Sequence, residues 1–162
     1  MANKQKEILE AVMQIQKSEL VKRLVSFVCG DTVLYLFDFP LAGKSLLLVN
    51  HILGTSFTFS QGIEAVAVSS EQIEKLEKYF ESLPIEKVAL LYLVATEMHS
   101  VFLGILFVEN RLTIEEIFNC AFYEELQQQK KWGTMPEVKT LHNETKSYLQ
   151  WLQEVRDAGS IS

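Results

Sequence analysis

The sequence has few cysteines and no dense disulfide pattern. Cys29 and Cys120 are its only two cysteines, and they lack the close spacing of a redox pair or a zinc knuckle. Buried thiols in a reducing compartment are the expected interpretation. The three histidines, His51, His99 and His142, are scattered, and no HExxH pattern joins them to carboxylates. The sequence therefore predicts no metal site and no cofactor.

Basic residues are in the minority, with 15 Lys and Arg against 21 Asp and Glu and a net charge of −6. Nucleic-acid binding needs a basic stripe to neutralise phosphates, and none is present. Nucleic acid is therefore not a predicted partner. The GKS segment at residues 43–45 lacks the rest of a phosphate loop, because Asp38 stands at the position of its first glycine and would repel phosphate. No nucleotide site is predicted.

The first residues, MANKQKEILEAV, contain no apolar stretch of the kind found in secretory signals. Acidic residues without arginine also argue against an uncleaved mitochondrial presequence. The expected location is the cytoplasm of a bacterium, and a processed protein of the mitochondrial matrix is the alternative.

The chain is rich in apolar residues, which make up 48% of its 162 residues. This is enough for one cored domain and too little for two, so residues 1–162 are expected to form a single helical domain. Residues 85–108 are apolar nearly all round a helical wheel. That run is long enough to cross a bilayer, but Glu86, Lys87, Glu97 and His99 interrupt it. It predicts a central buried helix and no membrane insertion.

Other segments show helical spacing and caps around this central helix. An opening helix over 4–28 is expected to break near Lys17, and further helices are expected over 46–53, from Ser69 to Phe80 and from Pro136 onward. Residues 32–39 suit a short strand or an extended connector, and residues 55–69 a small hairpin with Gly62 at a positive φ. The fold class predicted is mainly α, with five to six helices packed around a central apolar helix and short extended segments or a small hairpin.

The stretch over 111–133 carries the most informative pattern. Thr113 and Glu116 form a capping box that starts a helix. Its apolar face, read on to Trp132, also contains Glu125 and Gln128. A carboxylate on such a face must be paired, protonated or exposed in a groove, since burying it charged and alone costs several kcal/mol. Two interpretations stay open: a structural carboxylate bonded to backbone or to Arg111, or a contact kept for a partner.

Glu97 and His99 on the central helix suggest a second possible site. Residues two apart point in different directions on a helix, so these two need help from elsewhere to share chemistry. A core histidine is the preferred interpretation of His99. Glu97 is an apolar-face carboxylate like Glu125, and the two are expected either to lie against each other or to share a water or cation.

The residues of the 111–133 stretch resemble a known family. Glu124, Glu125, Gln128, Trp132 and Gly133 resemble the acidic pair, the glutamine and the Trp-Gly of the assembly chaperones that hold the alpha subunit of the ATP synthase catalytic sector. The helix start Arg111-Leu112-Thr113 with its two glutamates is similar to the one that precedes that motif.

The resemblance extends upstream. Asp31-Thr32 with Tyr35, and Gly62-Ile63, are similar to that family's aspartate-threonine, tyrosine and glycine-isoleucine. Asp31 is expected to bond a turn near the core. Family members carry a mainly β domain ahead of the helical one, and the resemblance covers only the helical part, so the β-rich domain is expected to be absent.

The resemblance implies a non-enzymatic chaperone that binds the unassembled alpha subunit and promotes assembly. It implies that Glu124, Glu125, Gln128, Trp132 and Gly133 bind the partner, and no catalytic residue is assigned. The alternatives are a small-molecule enzyme with a buried pocket of Glu97, His99 and Glu125, and a helical module that self-associates through its last helix.

Overall fold

The computed structural model describes residues 2–60 and 67–159, and these two ranges contain helices and no strand. The mainly α class is therefore confirmed. The helices are α1 (Ala2–Met13), α2 (Lys17–Phe27), α3 (Pro40–Leu53), α4 (Ser70–Ser82), α5 (Ile85–Met98), α6 (Val101–Val108), α7 (Ile114–Ala121), α8 (Tyr123–Trp132) and α9 (Pro136–Gly159). No helix in the described ranges is long and apolar enough to span a bilayer. These helices are more numerous than the five to six expected, because the segments over 4–28, 85–108 and 111–133 each form two helices.

The prediction of one continuous helix over 85–108 is wrong. The chain leaves the helix at His99, whose φ of 53° is left-handed, and Ser100 starts α6 by accepting a hydrogen bond from the Leu103 N–H at 3.0 Å. All eight residues of α6 are buried. The centre of the molecule is thus two short helices that pack against each other, and His99 is exposed at their junction rather than in the core.

Asp31 fixes this break from a distant part of the chain. Its carboxylate accepts hydrogen bonds from the Ser100 hydroxyl at 2.6 Å, the Phe102 N–H at 2.9 Å and the Val33 N–H at 3.0 Å. The Thr32 hydroxyl donates to the His99 carbonyl at 2.9 Å. Burial raises the pKa of Asp31 to about 6, although these hydrogen bonds act in the opposite direction. The expected turn bonded by Asp31 near the core is confirmed.

The remaining helices surround α5 and α6. α1 and α2 pack on α5, α3 packs on α6, and α7 lies between this pair and α9. The expected break near Lys17 is confirmed, as is the helix start at Ser69, whose hydroxyl accepts from the Gln72 N–H at 3.2 Å. Gly54 ends α3 in the left-handed conformation, but this helix begins at Pro40 and not at residue 46 as expected.

Two local expectations are corrected. Residues 32–39 do not form a strand, because Thr32–Tyr35 is a 3-10 turn that Asp31 caps through the Val33 N–H. Cys120 is a buried thiol whose pKa burial raises to about 11, whereas Cys29 is exposed. Residues 61–66, which include Gly62-Ile63 and much of the expected hairpin, lie outside the described residues.

Gly104 sets how closely α5 and α6 approach. A Cβ at this position would lie 2.9 Å from the Leu91 carbonyl oxygen and 3.2 Å from a Leu91 methyl carbon. The backbone oxygen cannot move aside as a flexible side chain could. We expect Gly104→Ala to lower the free energy of unfolding by about 1–2 kcal/mol in urea titrations, because the steric cost exceeds alanine's gain in helix propensity.

Gly43 provides the matched control for Gly104. It also lies inside a helix, but a Cβ there would meet nothing within 4 Å. Gly43→Ala should therefore raise stability by about 0.5–1 kcal/mol. Equal responses of the two variants would contradict the close approach at Gly104.

Candidate functional site

The helix that starts at Thr113 does not run on to Trp132. The capping box is confirmed, since the Thr113 hydroxyl accepts from the Glu116 N–H at 3.1 Å and the Glu116 carboxylate accepts from the Thr113 N–H at 3.0 Å. α7 ends at Ala121, and Phe122 has φ −112° and ψ 22°. The prediction of one continuous apolar face is wrong, and α8 has no buried residue.

Aromatic packing explains the break. The Phe122 ring lies 4.8 Å from Phe118 and 5.4 Å from His142 of α9, whereas the Tyr123 ring lies 4.1 Å from Phe39, which precedes α3. Two consecutive rings thus pack on different parts of the molecule. The chain turns between them, and α8 packs on the core through the half-buried Tyr123 and Leu126 while most of its other side chains are exposed.

Glu125 is exposed and bonded to a histidine. Its side chain is 58% exposed, and its Oε2 lies 3.2 Å from Nε2 of His142, whose own side chain is 12% exposed. The rings of Phe118 and Phe122 hold the imidazole in place. Glu125 is therefore neither bonded to Arg111 nor sealed in the core, and its pair with His142 contributes about 1 kcal/mol or less to stability.

An open groove of about 700 Å³ lies beside α8. Its walls are α8, the first half of α9 and the end of α5. Four of the five residues predicted to bind a partner line it: Glu125, Gln128, Trp132 and Gly133. Glu124 is exposed on α8 but is not part of the lining. Gly133, with φ 86°, allows the sharp turn between α8 and α9.

Three large exposed apolar side chains line this groove. Trp132, Met135 and Leu141 line it and are 78%, 65% and 60% exposed. They are three of the seven large apolar side chains that are exposed in the described part of the chain. Large apolar patches left open to water are typical of surfaces that bind another molecule.

Two carboxylates also line the groove. Glu97 and His99 line it together with Glu125, so Glu97 and Glu125 face the same space, as the sequence suggested they could. Burial, and secondly the negative charge of Glu97, raise the pKa of Tyr148 to about 12. No lysine or arginine is among the described residues that line the groove.

The closed catalytic pocket of the enzyme alternative is not formed by these residues. Glu97, His99 and Glu125 line one space, but all three are exposed and the space is open. Within residues 2–60 and 67–159, the hydrogen bond of Glu125 goes to His142 and not to Glu97 or His99. The same ranges contain no group of three His, Cys, Asp or Glu side chains that could hold a metal ion.

α9 contributes apolar side chains to both the core and the groove. Leu149 and Leu152 in its second half are buried, whereas Val138 and Leu141 in its first half line the groove. His142 and Met135 also line the groove, and neither was a predicted site residue. Nothing local marked His142, because its partner Glu125 is 17 residues away on another helix. Met135 carried a local signal, because a large apolar residue in the short turn between Gly133 and Pro136 is expected to be exposed.

Comparison with known proteins finds no matching family model and no matching curated protein. Solved structures do match. Atp12 from Paracoccus denitrificans has a TM-score of 0.75 at 15% identity, over 86% of this chain and 64% of that one. Its D202K mutant gives 0.72 at 15% identity, over 85% and 62%. A protein from Agrobacterium tumefaciens described as a candidate chaperone gives 0.70 at 17% identity, over 86% and 57%. This chain shares the fold of the regions of those proteins with which it aligns. It spans less than two thirds of the length of each of them.

Proposed function

We propose that this chain, which shares its fold with Atp12, is an assembly chaperone for the catalytic sector of ATP synthase. It binds the unassembled alpha subunit and releases it to the beta subunit. The observation that carries the proposal is the open groove, where exposed Trp132, Met135 and Leu141 meet Glu125 and Gln128. The residues that resemble the chaperone motif and the fold of Atp12 support the same assignment.

The groove has the physical properties that such a role needs. A subunit separated from its complex exposes apolar interface surface that would otherwise aggregate. An apolar groove with a few polar groups covers such a surface and fixes its orientation. Release to the beta subunit follows when the final, larger interface competes for the same surface. No covalent step is required.

Each lining residue has a distinct part in this proposal. Trp132, as a large exposed ring, is the apolar anchor for the client. Gln128 supplies donors and an acceptor, and His142 positions the Glu125 carboxylate through the contact at 3.2 Å. Gly133 sets the turn that brings the start of α9 to face α8. Glu124 lies outside the lining and adds only to the negative charge of the first turn of α8.

Glu124 and Glu125 are neighbours in sequence, but only Glu125 lines the groove, so their alanine variants form a matched pair. We expect Glu125→Ala to weaken binding of the purified alpha subunit about tenfold, because a charged hydrogen-bonding group in the groove is lost. Glu124→Ala removes the same group one residue away and should change the affinity by about twofold or less. Binding is measured with the immobilised chain and the alpha subunit in solution.

The beta subunit supplies the control for client identity. The chain should bind the isolated alpha subunit and not the isolated beta subunit, and addition of the beta subunit should release bound alpha. Equal loss of affinity for Glu125→Ala and Glu124→Ala would contradict the groove as the contact. Failure to bind the alpha subunit at all would overturn the proposed function.

A further inference from the structure

The groove combines negative charge with exposed apolar side chains. Glu97 and Glu125 line it, and no lysine or arginine is among the described lining residues, although the Nζ of Lys131 lies 5.5 Å from the centre of the Trp132 ring. The end of α5 also lies here, and the last carbonyls of a helix carry a partial negative charge. A cation placed among apolar groups would therefore meet complementary charge in this groove.

Glu97 is placed where it costs stability in the free protein. It lies in the last turn of α5, where the helix dipole disfavours a carboxylate. In the part of the chain that the structure describes, Glu97 makes no ion pair. Residues that break a local rule in this way are typically found at functional sites.

The walls of the groove restrict the conformation of its occupant. α8 and α9 are helices whose backbone donors and acceptors pair within each helix. An extended peptide would find no free sheet edge in these walls, so its backbone groups would gain no partner from the protein. A helix brings its backbone hydrogen bonds with it, so a helix-in-groove contact suits these walls.

We propose that the groove receives an amphipathic helix that carries one lysine or arginine within its apolar face, and that Glu97 and Glu125 together bind this cation. The apolar side chains on either side of the cation pack on Trp132, Met135 and Leu141. This inference rests on the proposed chaperone function and specifies the segment of the client that is bound. It also assigns Glu97 a binding role that the sequence resemblance does not include.

Designed peptides test the proposal directly. The probe is a fluorescently labelled amphipathic helical peptide with one arginine at the centre of its apolar face. Matched peptides carry glutamine or glutamate at that position. We expect the arginine peptide to bind about tenfold more tightly than the glutamine peptide, and the glutamate peptide to bind more weakly than both. The preference should shrink as the salt concentration rises.

Glu97→Gln identifies the group that recognises the cation. This variant should melt at or above the temperature of the unaltered chain, because an unfavourable charge has been removed. It should bind the arginine peptide about tenfold more weakly and the glutamine peptide with little change. The effect of Glu97→Gln would then depend on the residue at the centre of the peptide. A purely structural role of Glu97 would not produce this coupling. Glu86→Gln, at the opposite end of α5, is the matched control and should keep the preference.

The outcomes separate this inference from the chaperone assignment. A preference for arginine that is lost in Glu97→Gln supports the inference. Equal affinity for the three peptides, or an unchanged preference in Glu97→Gln, overturns it even if the alpha subunit is bound. If the peptide preference is present and the alpha subunit is not bound, the chemistry of the groove stands and the client assignment falls.

Discussion

Asp31→Ala is expected to destabilise the protein by about 3 kcal/mol near pH 5. The substitution removes the acceptor of three buried hydrogen bonds, from the Ser100 hydroxyl and the Phe102 and Val33 N–H groups. Each buried donor left without a partner costs about 1–3 kcal/mol. The junction between α5 and α6 depends on these bonds, so the loss falls on the centre of the fold. The measurement is urea unfolding followed by circular dichroism.

The cost of Asp31→Ala should depend on pH in a defined direction. The folded pKa of Asp31, about 6, lies above its ordinary value of 3.8 because the group is buried. The folded protein therefore holds the proton more tightly than the unfolded chain between these two values. The stability that this group contributes is fully present below pH 3.8 and is lost as the pH rises through 6. The difference between the unaltered chain and Asp31→Ala should be smaller at pH 8 than at pH 5.

Asp38 provides the control for this experiment. It is exposed, and Asp38→Ala removes the same group seven positions further along the chain. It should change stability by about 0.5 kcal/mol or less at either pH. Equal stability of Asp31→Ala and the unaltered chain at pH 5 would contradict the role of Asp31. A difference between them that grows from pH 5 to pH 8 would contradict the direction of its pKa shift.

Trp132→Ala is expected to weaken binding of the alpha subunit about 30-fold. This corresponds to roughly 2 kcal/mol, the usual loss when an aromatic anchor at the centre of an interface is removed. Because the Trp132 side chain is 78% exposed in the free protein, its removal should change stability by about 0.5 kcal/mol or less. Binding is measured by titration of the labelled alpha subunit, and folding is checked by circular dichroism.

Leu47→Ala is the matched control for Trp132→Ala. Leu47 is 73% exposed on α3 and does not line the groove. It tests whether loss of any exposed apolar side chain weakens binding. Unchanged affinity for Trp132→Ala, or equal losses for both variants, would show that the client does not bind in this groove.

The local elements of this fold could be read from neighbouring residues. Thr113 with Glu116 and Ser69 with Gln72 predict helix starts, because a capping box joins residues only three positions apart. Gly54 predicts a helix end since glycine adopts the left-handed conformation without steric cost. Such signals depend on contacts within one helical turn, so the start or end of a helix can be predicted from them without knowledge of the rest of the fold.

The two breaks that shape the groove could not be read in this way. Residues 85–108 are apolar nearly all round a helical wheel and show no local signal for a break. The break at His99 depends on Asp31, which is 69 positions from Ser100. The break at Phe122 depends on contacts with His142 and, through the next residue, with Phe39. A helical wheel assumes a straight axis, so it placed Glu125 on an apolar face that α8 does not have.

The sequence by itself determined the helical class and most helix boundaries. Each of these depends on residue type and spacing within a single helix. Only the tertiary structure decided that Glu97 and Glu125 share one space, that His142 bonds Glu125, and that Trp132 is left open to water. These features arise where α5, α8 and α9 meet, because contacts between helices depend on the packing of the whole chain.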